Sequence, residues 1–385
     1  MRSSVAARVA VDLRALVPKP TGIGVYTLSL LRELARRARP GGEAAGPAPP
    51  GWRYLGLAHK PPHHAAELAA AGVEVECQGA PLGVIWQQVV LPLRLRRGGV
   101  DLLWSPLGTL PLRCPVPAVA TVHDLTAMLL PEAHRAKVRW SMLPFLRPSL
   151  EMARVLVTLS RATADDLAFY FPQCAAKVRV VYPGVDPEFQ PGEQEEIAAT
   201  RRELAAPDGY LLYAGTLEPR KNVAALLDAW EALRGGDPTV PPLILAGPYG
   251  WGSRRLARRI EALAGRGVTA LGRVERPRLV RIVQAARLFV YPSLYEGFGL
   301  PPAEALACGV PAVVADSSSL PEVVGEAGVR VPPGDSAALA AALRALLHDP
   351  GRERDLRARA AGQAGRFRWP RAAAEMEEVF AEALA

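Results

Sequence analysis

The chain has 385 residues, 50% of them hydrophobic and 22% charged, which is about twice the length at which a single core stops growing efficiently. Two globular domains are expected; low-complexity disorder is excluded, and so is a membrane-spanning helix, because no run of 18 apolar residues occurs. The net charge of +8 divides into +10 over residues 1–183 (22 Lys and Arg, 12 Asp and Glu) and −2 over residues 184–385 (24 and 26), so the N-terminal half either meets an anionic partner or has an arginine-rich surface that leans positive.

The first eight residues lead straight into a strand pattern, without the apolar stretch of a leader. Cys77, Cys114, Cys174 and Cys308 show no paired spacing and the six histidines are scattered; neither a zinc site nor a disulfide framework is expected, and a reducing cytoplasm fits. Strands are predicted at Val9–Leu13, Tyr54–Ala58, Leu102–Trp104, Ala118–Val122 and Val155–Leu159. A helix from Val25 to Arg39 places Leu28, Leu31 and Leu34 on one face and ends in Arg36, Arg37 and Arg39, charges suited to a helix C-terminus. Residues 40–50 read as a mobile loop, and Trp86–Arg97 and Arg135–Arg147 mix aliphatic, aromatic and basic letters. That mixture suits either an amphipathic surface on an anionic membrane or a core helix with a basic outer face.

Tyr182–Gly192 carries three prolines and two glycines, the composition of a linker. The alternation then restarts. Strands are predicted at Tyr210–Ala214, Leu243–Ala246, Val268–Leu271, Leu288–Tyr291 and Pro311–Ala315. Helices fall at Val223–Leu233, Ser253–Ala264, Pro277–Ala286, Pro302–Cys308, 336–347 and 370–384. This is the pattern of two doubly wound α/β domains facing a central cleft, spanning 1–183 and 184–369, with residues 370–385 as a helix that packs back toward the N-terminal domain.

Four segments carry chemistry. In Tyr291–Pro311 a buried strand runs into a glycine-bearing turn and then a proline-opened helix. Glu296 sits in the turn and Glu304 in the helix, and carboxylates so placed accept hydrogen bonds from sugar and ribose hydroxyls. In Ala214–Asn222 a glycine turn brings Arg220 and Lys221 to a helix start, a setting for a diphosphate; Lys221 is the one lysine after residue 177. Thr121-Val-His123-Asp124 ends a strand, where a side chain reaches the ligand edge of a parallel sheet; a packed loop histidine beside an Asp cap is the plain alternative. Thr21-Gly22-Ile-Gly24-Val-Tyr26 opens the first helix, and its two glycines permit close backbone approach.

These segments resemble the retaining family-4 glycosyltransferases of GT-B fold, whose paired-glutamate signature the 291–311 stretch matches; bacterial members, often mannosyltransferases of surface polysaccharides or glycolipids, are the nearest in kind. The resemblance implies transfer of a hexose, with mannose from GDP-mannose as the candidate donor, to a saccharide or lipid-linked acceptor. It gives Lys221 the diphosphate and places His123 beside the transferred sugar, with Glu296 and Arg220 completing the catalytic group. It puts Gly22, Gly24, Gly215, Thr216, Val274, Gly297, Phe298, Gly299, Leu300 and Glu304 around the donor. Tyr26, Asp124 and Arg161 fall on the acceptor side. Many members carry arginine where Thr216 stands, and Arg220 is expected to compensate. No Asp-x-Asp motif ends a strand, so neither metal nor cofactor is expected, and no nucleic acid partner. A cytoplasmic enzyme, peripheral at the inner membrane face, is the implied setting. A nucleotide-sugar epimerase or phosphorylase on the same fold, or a non-catalytic sugar-nucleotide binder, remains the alternative; an NAD enzyme would need a third glycine at dinucleotide spacing.

Overall fold

The computed structural model describes residues 7–18, 22–39, 51–130 and 136–385, the side chains of 136–142 excepted. The 40–50 loop, Thr21 and Arg135 therefore lie outside the described residues. The chain divides into two compact units, one of residues 1–184 with 368–385 and one of 185–367.

The first unit is built on a seven-stranded parallel sheet in the order β3-β2-β1-β4-β5-β6-β7. Its strands are β1 Arg8–Asp12, β2 Arg53–Ala58, β3 Glu74–Cys77, β4 Leu102–Ser105, β5 Ala118–Val122, β6 Val155–Thr158 and β7 Val178–Val180. The central strands β4, β5 and β6 are buried at every residue, because helices cover both faces, so they read as unbroken apolar runs. The second unit repeats the design with six parallel strands in the order β10-β9-β8-β11-β12-β13: β8 Leu211–Ala214, β9 Leu243–Ala246, β10 Val268–Gly272, β11 Leu288–Tyr291, β12 Ala312–Ala315 and β13 Gly328–Val331. In each sheet the winding reverses once, between β1 and β4 and between β8 and β11. A doubly wound sheet opens a crevice at such a switch point, beyond the carboxyl ends of the strands.

Ten of these strands fall where the apolar runs place them, to within a residue at each end. The three the runs do not reveal, β3, β7 and β13, all lie at sheet edges. Half-exposed edges tolerate charge, and Glu74-Val-Glu-Cys77, Val178-Arg-Val180 and Gly328-Val-Arg-Val331 carry it.

Helix α1 runs from Gly22 to Arg37, three residues earlier at its start than the apolar spacing suggests. Its buried stripe is Tyr26, Thr27, Leu30, Leu31 and Leu34, with Leu28 half-exposed. This corrects the 28-31-34 face: steps of three fall behind the 3.6-residue turn, whereas alternating threes and fours keep pace with it. Two further helices position site loops, α2 Arg161–Tyr170 in the first unit and α3 Val223–Gly236 in the second, followed by α4 Arg276–Ala285 and α5 Leu300–Ala307. The last helix, α6 Trp369–Leu384, returns to the first unit. Its Phe380 packs on Trp52 and Trp104, and Glu377 accepts from the Arg37 guanidinium at 2.9 Å with both side chains buried.

Candidate functional site

The loops after β8 and β11, on either side of the second unit's switch point, are stitched together. Past β8 the chain makes a single 3₁₀ turn, Pro219–Lys221, and Asn222 enters the left-handed region before α3 begins. Past β11 it turns through Ser293–Gly299, and Gly299, at φ +100°, starts α5 with Pro301 and Pro302 in its first turn. The Arg220 carbonyl accepts from the Leu294 amide at 2.9 Å.

This arrangement brings Lys221 and Glu296 into contact in a buried setting. The Lys221 ammonium donates to Glu296 Oε1 at 2.5 Å and to the Tyr291 hydroxyl at 2.8 Å, and sits 5.2 Å from the centre of that ring. Arg220 reaches Glu296 Oε2 at 3.1 Å and Glu218 at 3.0 Å, and donates to the Tyr295 carbonyl. The Ser293 hydroxyl donates to Glu296 Oε1 at 2.6 Å. Burial pushes the Glu296 carboxyl up. The charges of Lys221 and Arg220, with hydrogen bonds from Lys221 and Ser293, outweigh it and leave the group at about 2. Burial likewise works against the Lys221 ammonium, and Glu296 opposes that loss. One carboxylate therefore holds two cations at the switch point, and two fixed cations are what a diphosphate requires.

Glu304 belongs to a different cluster. It lies on α5 with Arg276 of α4 at 3.6 Å, and Arg276 also pairs with Asp186 and lies 4.8 Å over the Phe189 ring. Burial raises the Glu304 carboxyl to about 7, Arg276 pulling it down and Asp186 and Glu188 up. The two glutamates are thus held in opposite charge tendencies, Glu296 ionised by its cations and Glu304 biased toward the neutral acid.

Sequence reasoning missed the backing of the turn. Ser317, Ser318 and Ser319 follow β12 after a single residue, Asp316. Ser318 Oγ accepts from the Glu296 amide at 2.8 Å, and Ser319 Oγ donates to the carbonyls of Glu296 and Phe298 at 3.0 and 2.7 Å. Three hydroxyls in a row beyond an apolar strand are a signal legible in the letters. Gly247 was also missed: it has φ +152°, and a Cβ there would stand 1.9 Å from the Gly215 carbonyl oxygen. That close approach sets the loops after β8 and β9 side by side.

The remaining donor-side candidates are placed as follows. Gly215 and Thr216 lie half-buried in the β8 loop, and Thr216 offers its carbonyl to the Tyr213 hydroxyl at 3.0 Å. Gly297 is buried, and Leu300 begins α5. The Phe298 ring is buried edge-on against Phe367, which leaves its backbone in the turn. Val274 is half-buried just beyond β10. Gly22 and Gly24 are both helical, within the opening turn of α1; Gly22 is exposed and has open space where a Cβ would stand.

In the first unit His123 follows β5, half-buried. Its Nε2 lies 2.8 Å from the Pro106 carbonyl, an acceptor only, so Nε2 carries a proton and neutral His123 keeps Nδ1 as its acceptor. Burial lowers the imidazole's basicity, against the pull of the Pro106 carbonyl and Asp124. Tyr26 is enclosed by its own unit. Its ring is buried on α1, edge-on to His123 at 5.1 Å and to Trp104 at 6.3 Å, and so braces the histidine. The Asp124 carboxylate is likewise engaged: it accepts from the Thr126 amide at 2.9 Å and from the Thr126 hydroxyl, ordering the turn as the plain alternative has it. Arg161 is exposed in the first turn of α2, after the capping Ser160.

The family model of glycosyl transferases group 1 matches residues 196–364, and that of Glycosyltransferase Family 4 matches residues 20–189. The chain is 37% identical over 255 residues to the O-antigen chain mannosyltransferase B of Escherichia coli, covering 66% of this chain and 67% of that one. It is 36% identical over 242 residues to a D-inositol 3-phosphate glycosyltransferase of Streptomyces bingchenggensis, covering 60% and 53%. The chain thus spans about two thirds of the first relative's length and half of the second's. Among solved structures it superposes on HepE of Anabaena, in complex with UDP and glucose, with TM-score 0.73 and 21% identity over 98% of this chain and 100% of that one. It also superposes on WaaG, a glycosyltransferase involved in lipopolysaccharide biosynthesis, with TM-score 0.73 and 16% identity over 96% and 99%. These two likenesses carry the GT-B fold.

Proposed function

The chain belongs to the glycosyltransferases of group 1 and family 4, and on that premise we propose that it moves a hexose, mannose from GDP-mannose, onto a saccharide or lipid-linked acceptor in surface polysaccharide or glycolipid synthesis. The observation that carries this reading is the buried ammonium of Lys221 and the half-buried guanidinium of Arg220, converging on one buried carboxylate at the switch point of the second sheet. The choice of mannose leans on the Escherichia coli relative, an O-antigen chain mannosyltransferase.

In the reaction the bond from the sugar's anomeric carbon to the diphosphate oxygen breaks, and a bond to an acceptor hydroxyl oxygen forms as that hydroxyl passes its proton to the departing diphosphate. Negative charge builds on the departing diphosphate, and Lys221 with Arg220 meets it. A donor diphosphate competes with Glu296 for the same cations, so its arrival frees Glu296 to accept hydrogen bonds from sugar hydroxyls. Glu304 takes the ribose, and His123 presents Nδ1 to a sugar hydroxyl. Retention of anomeric configuration and independence from a divalent ion belong to the proposal; no nucleophile is assigned.

The deciding measurement is a thermal-shift panel of GDP, UDP, ADP and dTDP, followed by turnover of GDP-mannose with EDTA and proton NMR of the product's anomeric centre. GDP is expected to stabilise most, by about 2.7 kcal/mol at a hundredfold excess over its Kd. A chain stabilised by none of the four, or one in which Lys221→Met leaves GDP stabilisation intact, refutes the assignment.

A further inference from the structure

His123 is held at two points. Its Nε2 is fixed by the Pro106 carbonyl at 2.8 Å. That hydrogen bond alone leaves the imidazole able to swing about the contact, because the outer torsion of a histidine has a broad well. The Tyr26 ring, edge-on at 5.1 Å and 87°, closes off the swing. The direction of Nδ1 therefore depends on where Tyr26 stands.

Two indoles set the place of Tyr26. Trp104 of β4 stands 6.3 Å from it at 77°. It is fixed in turn, its Nε1 donating to the Thr121 hydroxyl at 2.9 Å and Phe380 packing on it at 5.9 Å. Trp369 stands 6.2 Å from Tyr26 at 55°. It opens α6 on the same buried face as Phe380, since positions 369 and 380 lie about three helical turns apart and point the same way.

Trp369 also stands where the chain passes between the units, which it does at 184–185 and at 367–368. Within the second unit the Val185 amide donates to the Phe367 carbonyl at 3.0 Å. Within the first, a Cβ on Gly184 would lie 2.3 Å from the Trp369 nitrogen and 2.5 Å from its Cγ, so this close approach requires glycine. The indole is 6% exposed. In an interior packed to such density, a shift of one ring is passed to its neighbours.

We propose that Trp369 is a positioning residue for His123, acting through Tyr26, and that Gly184 seats its indole. The inference rests on the proposed role of His123, which needs Nδ1 aimed at a sugar hydroxyl. A misplacement of about 1 Å in such a group costs up to about a hundredfold in rate.

The test uses the full chain with nitrogen-labelled histidine, at about pH 8 where an imidazole is neutral. Proton–nitrogen correlation spectra, with His123 assigned by His123→Gln, should show its Nε2–H tautomer alone. Trp369→Leu and Gly184→Ala should each shift the His123 signals and bring in the second tautomer. The signals of the other five histidines should stay in place. Trp369→Phe, which keeps a ring against Tyr26, should restore the parent spectrum. Gly184→Ala removes nothing from the core, so its spectra decide the matter if Trp369→Leu does not fold. In turnover, Trp369→Leu should lower kcat about tenfold with donor KM within about twofold, because the donor loops of the second unit are untouched. Combined with His123→Ala it should cost little more than His123→Ala alone. Unchanged His123 signals in both Trp369→Leu and Gly184→Ala, a Trp369→Phe variant as perturbed as Trp369→Leu, or losses that add with His123→Ala would overturn the proposal. If His123→Ala turns over like the parent, the functional role of that residue falls, while the spectra still decide this inference.

Discussion

The buried contact between Lys221 and Glu296 can be tested apart from catalysis. Glu296 stands at about 2 against an ordinary 4.5, a preference for the ionised form worth about 3 kcal/mol in the folded state. The folded value lies below the unfolded one. The contribution is therefore complete above pH 4.5 and is lost as pH falls from there through the folded value near 2. Lys221→Met removes the nearest cation and leaves the carboxylate buried beside Arg220; Glu296→Gln removes the charge and leaves the ammonium with Tyr291. Each single change should destabilise by about 2–4 kcal/mol, whereas the double variant should lose much less than their sum, because it leaves neither charge of this pair buried without its partner. A double-mutant cycle from urea unfolding at pH 7 should return a coupling of about 2–3 kcal/mol, and the acid limb between pH 4.5 and 2 should flatten in Glu296→Gln. Additive effects within about 0.5 kcal/mol, or an unchanged acid limb, would refute the pairing and the ionisation argued from it. Turnover tests the role separately: Lys221→Met should lower kcat by about two to three orders of magnitude.

Glu304, raised to about 7, supplies stability that is present below pH 4.5 and lost as pH rises toward 7; Glu304→Gln should remove that loss and also the pH dependence of nucleoside-diphosphate affinity between pH 6 and 8, as calorimetric titration would show. Gly247→Ala, whose methyl would meet the Gly215 carbonyl oxygen, should cost at least about 2 kcal/mol and weaken donor binding with it, read by urea unfolding and thermal shift. Glu377→Ala strands the buried Arg37 guanidinium and should lose about 3–5 kcal/mol by urea unfolding, partly recovered in Arg37→Met/Glu377→Leu. Tyr26→Phe should leave turnover within about twofold because the ring alone braces His123, while His123→Ala should lower it about a hundredfold.

Fold class was legible because buried parallel strands must be apolar at every position: Leu243–Ala246, Leu288–Tyr291 and Ala312–Ala315 can be read from composition and their bounding turns alone. The same letters announced Lys221, Glu296 and His123, since each stands just past such a run, where a parallel sheet presents its ligand edge. Three of the four edge strands, β3, β7 and β13, stayed hidden because solvent on one side relaxes the demand for apolar residues. Tertiary structure alone decided that Lys221 and Glu296, 75 positions apart, share a charge. It alone sent Glu304 to Arg276 instead, and turned Tyr26 inward against His123. Charge state and contact depend on burial and distance between residues remote in the chain, and those are properties of packing that no local pattern of letters encodes.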